Sequence, residues 1–367
     1  MALQRVQRLS SSTKPKVAVF YQALEPPVLD GITKPKKPGG YQDSGADIAF
    51  VLRTSKHAEV ITPVDVPDTE PGILAAVKAG ATHLWMNIIL FAAHPLQASN
   101  KLSSKSEDLF ILGQPPNLVA NYDDKARVNE FLRSTCQFVL PKEIEAAVQI
   151  LNLPIVAKPI RGRGSHGVKL CHTPEELTGH ADDLFKEGSS IMLEQYLAGQ
   201  EATITTIPPS GDELTYKSLP PVIRFKHQDG VAPYNGTVAV TQNSHVCTIQ
   251  EILKDPAWRT IMSECDQVAE LLGCTAPIRI DVRRASQGED GKSEGRFAIF
   301  DVNLKPNMTG PGRPGRDDQA SSSAMAAQAT GWDYPQLLKT ILDTAKSLRE
   351  IRGSKSVLRA RIMKEKP

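Results

Sequence analysis

The chain has 367 residues, of which 40% are hydrophobic and 23% are charged, and its net charge at pH 7 is +2. This composition is typical of a soluble globular protein with two or three domains. The small net charge predicts no general attraction to nucleic acid or to membranes, and no apolar run approaches the ~20 residues that span a bilayer.

The cysteines are five in number, and none of them stands in C-x-x-C spacing. This pattern predicts reduced thiols in a cytoplasmic protein without a zinc framework. Cys136 and Cys274 were weighed as nucleophiles, but buried structural thiols are favoured because nothing around them resembles an activating base.

The first 120 residues alternate between β-type and helical patterns. Residues 1–14 are polar and lack acidic side chains, which favours a frayed leader over an organelle-targeting segment. The predicted elements that follow are a strand at 16–20, a proline-rich loop or flap at 24–40, a helix at 45–53, a strand at 58–64, a helix at 73–79 closed by Gly80, and a strand at 83–91. The βαβαβ alternation predicts a parallel, doubly wound N-terminal domain over 1–120, with its boundary inside 99–117.

The rest of the chain divides into a central domain (121–197), a C-terminal domain (198–350) and a loosely held basic tail (351–367). The predicted elements are a helix starting near Lys125 with Asp123 or Asp124 as its cap, a helix at 143–151, a helix from Thr173 to Lys186, strands at 191–193, 202–207, 214–219 and 238–240, and helices at 255–272, 320–329 and 336–349. The strands after residue 200 are expected to pair antiparallel, since turn residues separate them.

The stretch 154–168 is rich in glycine and lies between two apolar β-type runs. It contains three glycines, one serine and three basic side chains: Gly162, Gly164, Gly167, Ser165, Lys158, Arg161 and Arg163. Glycines allow backbone N–H groups to converge on one point, and Ser165 adds a hydroxyl donor, so the loop is suited to phosphate. The alternative is a tight hairpin with a solvated basic tip. The stretch is not a Walker loop, because no G-K-[ST] follows it. It is not a dinucleotide-binding fingerprint either, because the required βαβ context is missing.

Three further motifs follow this loop in a fixed order. They are Glu194-Gln-Tyr196-Leu197 with Gly199-Gln-Glu201, then Arg279-Ile-Asp281, then Asp301-Val-Asn303-Leu-Lys-Pro306. Together the four motifs resemble the ATP-grasp superfamily, and by pattern they are most similar to the D-alanine–D-alanine ligases. The resemblance covers residues 121–345 by motif and the first 120 residues by fold pattern alone. It implies an α/β (α+β) protein with the ATP-grasp fold, in which the nucleotide lies between the central and C-terminal domains.

The resemblance also implies roles for individual residues in ATP binding. The phosphates would be held by Lys125, Lys158, Gly164 and Ser165, the adenine amino group by Glu194, the ring edge by the backbone of Tyr196 and Leu197, and the ribose hydroxyls by Glu201. Two alternatives stay open: Lys125 as a helix-start lysine in water, and Glu194 as an ordinary strand-end carboxylate.

The side chains of Asp281, Asp301 and Asn303 form a set of hard oxygen ligands of the kind that magnesium prefers. Side chains repeat every two residues in a strand, so Asp301 and Asn303 share one face, as do Arg279 and Asp281. The alternative is a surface ladder of exposed polar residues. The apolar residues between them, Ile280, Val282 and Val302, favour the wall of a cleft, and the family implies two Mg²⁺ ions there.

The implied reaction joins a small-molecule carboxylate to a small-molecule amine. The carboxylate attacks the γ-phosphate of ATP to form an acyl phosphate, while Mg²⁺ and Lys158 offset the negative charge. The amine then attacks the acyl carbonyl, whose oxyanion Arg279 would hold, and ADP and phosphate are released. The alternative is an ATP-binding regulatory protein without turnover. A homodimer is the candidate assembly.

The sequence departs from the ligase pattern around its substrates. No glutamate matches the one that grips the first substrate's ammonium, and Gly164 stands where a serine is usual, so the first substrate is predicted not to be D-alanine. The lysine-rich segment 34–38 predicts an acidic first substrate, and an unchanged KM in a Lys36/Lys37 double variant would contradict this. Candidates for the second substrate's carboxylate are Ser321, Arg313 and Arg316, with solvated loop charges as the alternative for the arginines.

Overall fold

The structure is a computed structural model, and it describes residues 14–29, 32–33, 36, 38–62, 65–135, 137–143, 153–162, 164–231, 240–287 and 293–358. Some of the predictions fall outside these residues: the leader 1–13, Lys34 and Lys37, Cys136, the helix at 143–151 beyond its first residue, Arg163, strand residues 238–239, and the tail from 359.

The strands are β1 (Lys16–Tyr21), β2 (Val28–Leu29), β3 (Ile32–Thr33), β4 (Glu59–Val60), β5 (Val66–Pro67), β6 (His83–Met86), β7 (Phe110–Leu112), β8 (Ile155–Pro159), β9 (Lys169–Cys171), β10 (Ile191–Gln195), β11 (Glu201–Ile207), β12 (Lys217–Ser218), β13 (Val222–Arg224), β14 (Ser244–Val246), β15 (Ile278–Gln287), β16 (Ser293–Asn303) and β17 (Lys346–Ser347).

The α-helices are α1 (Gln42–Thr54), α2 (Glu70–Lys78), α3 (Pro95–Ala98), α4 (Pro116–Tyr122), α5 (Lys125–Ser134), α6 (Pro174–Lys186), α7 (Ile249–Lys254), α8 (Pro256–Leu271), α9 (Ser322–Ala329), α10 (Tyr334–Leu342) and α11 (Leu348–Gly353). Within the described part of the chain, none of these helices combines the length and the apolar character needed to cross a membrane.

The N-terminal sheet is built around β1, which pairs in parallel with β4, β5 and β6, while β6 pairs in parallel with β7. Alternation along β1 sends Val17 and Val19 to one face, where they pack with α1 and α10. Ala18 and Phe20 face the opposite side and pack with α2. Helices therefore cover both faces, and the predicted doubly wound arrangement is confirmed.

The carboxyl-terminal part of the chain returns to this N-terminal sheet. β17 pairs antiparallel with β7, and β7 itself lies inside the predicted boundary 99–117. The helix predicted at 336–349 was wrong beyond Leu342, because residues 346–347 form an edge strand. The predicted loose tail was wrong for 351–358, since Ile351 and Leu358 are buried in the core.

Besides the N-terminal sheet and the short β2–β3 hairpin, the described residues form two further antiparallel sheets. The smaller has the order β10-β8-β9, and the larger has the order β14-β13-β11-β15-β16 with β12 beside β11. Val240 was predicted at the end of a strand, but it begins a short 3-10 helix instead. In the larger sheet Ile278, Ile280 and Val282 of β15 are buried against the core that includes α8. The intervening side chains of β15 therefore point to the other face of the sheet.

Candidate functional site

The polar face of β15 and β16 brings four predicted residues together. In the antiparallel register Arg279 lies opposite Asn303, and Asp281 lies opposite Asp301. Between these two pairs the buried Ile280 lies opposite the partly buried Val302, and both side chains pack into the core on the other face of the sheet. Two carboxylates, an amide and a guanidinium thus form a compact group, as the period-two alternation predicted.

Two lysines from the central part of the chain approach this group. Lys158 of β8 donates from Nζ to the carbonyl oxygen of Phe300 (3.1 Å). Lys125, the first residue of α5, lies with Nζ 3.3 Å from Asp301 Oδ1 and donates to the carbonyl of Gly162 (2.8 Å). Lys125 therefore joins the glycine loop to the carboxylate face, and it is not simply a helix-start lysine in water. Asp124 caps this helix by accepting from the N–H of Arg127.

The carboxyl group of Asp301 is held in its anionic form. Burial by itself would raise its pKa, but the charges of Lys125, Lys158 and Arg279 outweigh that effect and lower the pKa below its usual value. The three cations are matched by carboxylates, because Asp281 pairs with Arg279 and Glu194 pairs with Lys158, so a triphosphate would need further positive charge of the kind that Mg²⁺ supplies.

Arg279 is held in place by Asp281. Its Nε and Nη2 atoms donate to the two carboxylate oxygens at 3.0 and 2.9 Å, a bidentate pair. Burial would lower the pKa of the guanidinium, but Asp281, Asp301 and Glu201 together raise it. The side chain therefore stays charged, and its orientation is set before any substrate binds.

The oxygen set on this face fits magnesium. Among the described residues no three His, Cys, Asp or Glu side chains form a complete metal cage. Magnesium usually takes one or two carboxylates and completes its octahedron with water and phosphate oxygens, so two aspartates and an amide suffice. The buried Asp301 Oδ1 accepts no well-aligned hydrogen bond from the described residues, and its neighbour is the ammonium of Lys125 at 3.3 Å, which a metal ion bound there would displace.

The glycine-rich stretch forms a strand, a turn and a strand, as predicted, because β8 and β9 pair antiparallel. Gly164 and Ser165 both have positive φ (61° and 59°), so their peptides take the left-handed conformation typical of anion-binding turns. Arg161 does not point into the loop, since it donates to Asp124 Oδ2 at 3.2 Å.

Glu194 is buried and occupied by protein partners. Its Oε2 lies 2.5 Å from Lys158 Nζ, and its Oε1 accepts from Asn129 Nδ2 at 3.1 Å. The carboxylate is therefore not an ordinary solvated strand-end group. The contact with Asn129 of α5 could not be predicted from the sequence, because an asparagine inside a helix has no distinguishing pattern.

The predicted hinge lies beside Glu201, and two residues that the sequence analysis missed support it. His227 Nε2 is 2.9 Å from Glu201 Oε2. Arg283 donates to the carbonyl of Gly199 (3.0 Å) and to Tyr196 Oη (3.1 Å), and its guanidinium stacks on the Tyr196 ring. Arg283 could have been found, since it follows Asp281 by two positions and so shares the polar face.

The predicted second-substrate residues have hydrogen-bond partners outside this cluster. Arg313 and Arg316 both donate to Asp47, a fully buried carboxylate of α1, at 2.6 and 2.9 Å. They are therefore not solvated loop charges; they tie the loop after β16 to the N-terminal domain. Ser321 is buried as the N-cap of α9, where its hydroxyl accepts from the N–H of Ala324.

The substitution Asp47→Asn is expected to lower the free energy of unfolding by about 1.5–3 kcal/mol, because two charged hydrogen-bond donors lose their anionic partner. It should also speed tryptic cleavage after Arg316, since the bond after Arg313 precedes Pro314 and resists trypsin. Urea unfolding and timed proteolysis measure the two effects. The matched control is Asp43→Asn, whose side chain is 82% exposed, and equal behaviour of the two variants would contradict the prediction.

Lys36 is the one lysine of the predicted acidic-substrate segment 34–38 that the structure describes. It donates to Glu25 Oε1 (2.8 Å) and to the carbonyl of Ala23. Its charge is therefore already offset by a carboxylate of the same flap.

A sequence model of the family described as D-ala D-ala ligase C-terminus matches residues 126–343. Among individual relatives, the D-alanine–D-alanine ligase of Actinobacillus succinogenes is 26% identical over 204 residues, which is 56% of this chain and 58% of that protein. The D-alanine–D-alanine ligase of Bacillus anthracis is 27% identical over 205 residues, or 55% of this chain and 58% of that protein. The aligned segment thus spans less than two thirds of these relatives.

Solved structures are similar over more of the chain. The D-alanine–D-alanine ligase from Bacillus anthracis complexed with ATP has a TM-score of 0.59 at 18% identity, covering 93% of this chain and 99% of that one. The VanG D-Ala:D-Ser ligase from Enterococcus faecalis has a TM-score of 0.60 at 14% identity, covering 90% and 99%. These likenesses confirm the predicted ATP-grasp fold.

Proposed function

Since the chain belongs to the family described as D-ala D-ala ligase C-terminus, we propose that it is an ATP-dependent carboxylate–amine ligase. It joins a carboxylate to an amine through an acyl phosphate and releases ADP and phosphate. The observation that carries the proposal is the cross-strand group of Arg279, Asn303, Asp281 and Asp301. In this group Asp301 also lies beside Lys125, and the charge of Lys158 lowers its pKa, which a family relationship alone would not require.

The nucleotide lies between the β8–β10 sheet and the β11–β16 sheet. Lys125 and Lys158 bind its phosphates, and the positive-φ turn at Gly164 and Ser165 closes over them with its N–H groups and hydroxyl. To bind, ATP draws Lys158 from Glu194 toward the phosphates, which frees the carboxylate for the adenine amino group. The backbone of Tyr196 and Leu197 meets the ring edge, and Glu201 accepts from the ribose hydroxyls.

Asp281, Asp301 and Asn303 would hold Mg²⁺, which supplies charge neutralisation at the phosphates when it is bound. Arg279 binds the oxygen of the reacting acyl group, where negative charge develops as the amine attacks. Asp281 orients Arg279 through its two hydrogen bonds. Ser321 lies at the N-terminus of α9, where a helix favours negative charge, and it contributes to binding the second substrate's carboxylate together with the loop of Arg313 and Arg316.

Both substrates are small molecules of the amino-acid type. The relatives are named for joining D-alanine to D-alanine, and one structural neighbour is named for D-alanine and D-serine. The reaction takes place in the cytoplasm, in keeping with four free, buried cysteines among the described residues. Burial raises the pKa of Cys274 well above its usual value, which supports the prediction that this thiol is structural and no nucleophile.

The test is ATP turnover by the purified chain with Mg²⁺ and a pooled mixture of amino acids, followed by phosphate release. Hydroxylamine added to the same mixture should be converted to an acyl hydroxamate, since it intercepts an acyl phosphate. ATP binding without phosphate release or hydroxamate under any substrate mixture would instead identify a nucleotide-binding regulatory protein.

A further inference from the structure

A cavity lies where the N-terminal sheet meets the end of the β15–β16 pair. Its enclosed volume is about 60 Å³, and it opens to solvent on one side. One wall comes from the carboxyl ends of β6 and β7, where ligands usually bind in open parallel sheets. The other wall comes from residues just before β15 and just after β16.

The cavity is close to the reacting groups along both strands. Pro277 in its wall precedes Arg279 by two residues, and Leu304 directly follows Asn303. Arg279 and Asn303 are cross-strand partners. Because a strand rises roughly 3.3 Å per residue, the cavity begins within about 7 Å of this pair. A side chain of the carboxylate substrate can span that distance.

The interior of the cavity is apolar. Trp85, Met86, Leu112 and Met308 are all buried in its wall, and Leu304 stands at the end nearest Asn303. Such a surface favours an aliphatic or aromatic group, because burying apolar area is the main gain available there.

The polar side chains of the wall are engaged with the protein. Gln114 donates from Nε2 to the carbonyl of Ala276 (2.8 Å) and accepts from the N–H of Thr275 (3.1 Å). Asn87 Nδ2 donates to Ser44 Oγ at 2.9 Å and to a main-chain carbonyl.

Lys305 is the only charged residue among the described residues of the wall, and its ammonium lies over the ring of Tyr41, 4.2 Å from the ring centre. The contact with Tyr41 directs the ammonium toward that ring and away from the apolar part of the wall.

We propose that this cavity holds the side chain of the carboxylate substrate, and that this substrate is an amino acid with a bulky aliphatic or aromatic side chain. The inference rests on the proposed ligase function, which places the reacting carboxyl beside Arg279 and Asn303. It replaces the acidic first substrate expected from the lysine-rich segment, since Lys36 is already paired with Glu25.

The experiment measures hydroxamate formation by the full chain with ATP, Mg²⁺ and hydroxylamine, using one amino acid at a time. Hydroxylamine replaces the amine substrate, so the product reports the carboxylate substrate alone. Alanine, leucine, phenylalanine and glutamate are compared in both D and L forms. Leucine or phenylalanine is expected to exceed alanine and glutamate in kcat/KM by about tenfold or more, since each missing methylene weakens binding in an apolar pocket.

A variant links the preference to the cavity. Met308→Ala enlarges it and is expected to raise the phenylalanine-to-leucine ratio of kcat/KM by about tenfold. The matched control is Met262→Ala on α8, outside the cavity wall, which should leave the ratio unchanged. The ratio does not depend on how much protein is folded, so a loss of stability cannot imitate the effect.

The outcomes separate the inference from the proposed function. Hydroxamate formed best with alanine or glutamate, or an unchanged ratio in Met308→Ala, overturns the substrate class while the ligase function stands. Failure of every carboxylate to give hydroxamate, together with no phosphate release, overturns the ligase function and the inference with it.

Discussion

Replacing Arg279 with methionine is expected to lower kcat by roughly 10²–10³-fold, the usual effect of removing one donor to a developing oxyanion. KM for ATP should change little, because the guanidinium contacts Asp281 and its proposed ligand is the acyl group rather than the nucleotide. Methionine keeps the length of the side chain and removes the charge and the donors. Steady-state kinetics at saturating ATP and Mg²⁺, corrected for the folded fraction, measure the effect.

The matched control is Arg283→Met, two positions along the same face of β15. Arg283 supports the hinge through Gly199 and Tyr196 and pairs with Glu201 at 3.5 Å, so its loss should raise KM for ATP more than it lowers kcat. Opposite kinetic signatures from two arginines on one strand would separate oxyanion binding from nucleotide positioning. A kcat in Arg279→Met equal to that of the unsubstituted protein would remove Arg279 from the mechanism.

Replacing Lys158 with methionine is expected to destabilise the protein by about 3–5 kcal/mol, the usual cost of breaking a buried ion pair from one side. The side chains of Lys158 and Glu194 are only 5% and 3% exposed, so the remaining carboxylate would be left unpaired away from water. Asn129 supplies one hydrogen bond to Glu194, which does not replace the lost charge. Urea unfolding with an unchanged m-value measures the loss.

The double variant Lys158→Met/Glu194→Gln separates stability from function. Without the carboxylate no buried charge is left uncompensated at this position, so most of the lost stability should return. ATP binding, measured by calorimetry, should not return, since both proposed nucleotide contacts are absent. A double variant as unstable as Lys158→Met alone would show that the ion pair does not explain the stability of this region.

The part of the candidate site whose residues lie close together along the chain could be predicted from the sequence. The alternation along β15 and β16 is local, so the sequence was enough to predict that Arg279 and Asp281 share a face, as do Asp301 and Asn303. The two pairs come together only because Asp281 lies opposite Asp301, and this register depends on how the whole sheet pairs. The contact between Lys125 and Asp301 joins residues far apart in sequence, and a short Asp-Lys motif could not indicate it.

Arg313 and Arg316 illustrate the opposite case. Their glycine- and proline-rich surroundings predicted either substrate contacts or solvated charges, because nothing nearby in the sequence is a partner. The partner is Asp47, more than 260 residues earlier in the chain. Only the packing of the loop after β16 against α1 brings the three side chains together.

The sequence by itself determined the kind of fold, the glycine-rich turn between β8 and β9 and the polar face of β15 and β16, because hydrophobic periodicity and turn chemistry act over a few residues. The tertiary structure alone decided that 346–347 add a strand to the N-terminal sheet, that Lys158 pairs with Glu194, and that an apolar cavity adjoins Arg279 and Asn303. The physical reason is that burial and long-range pairing depend on which surfaces meet, and those contacts join residues that no local pattern connects.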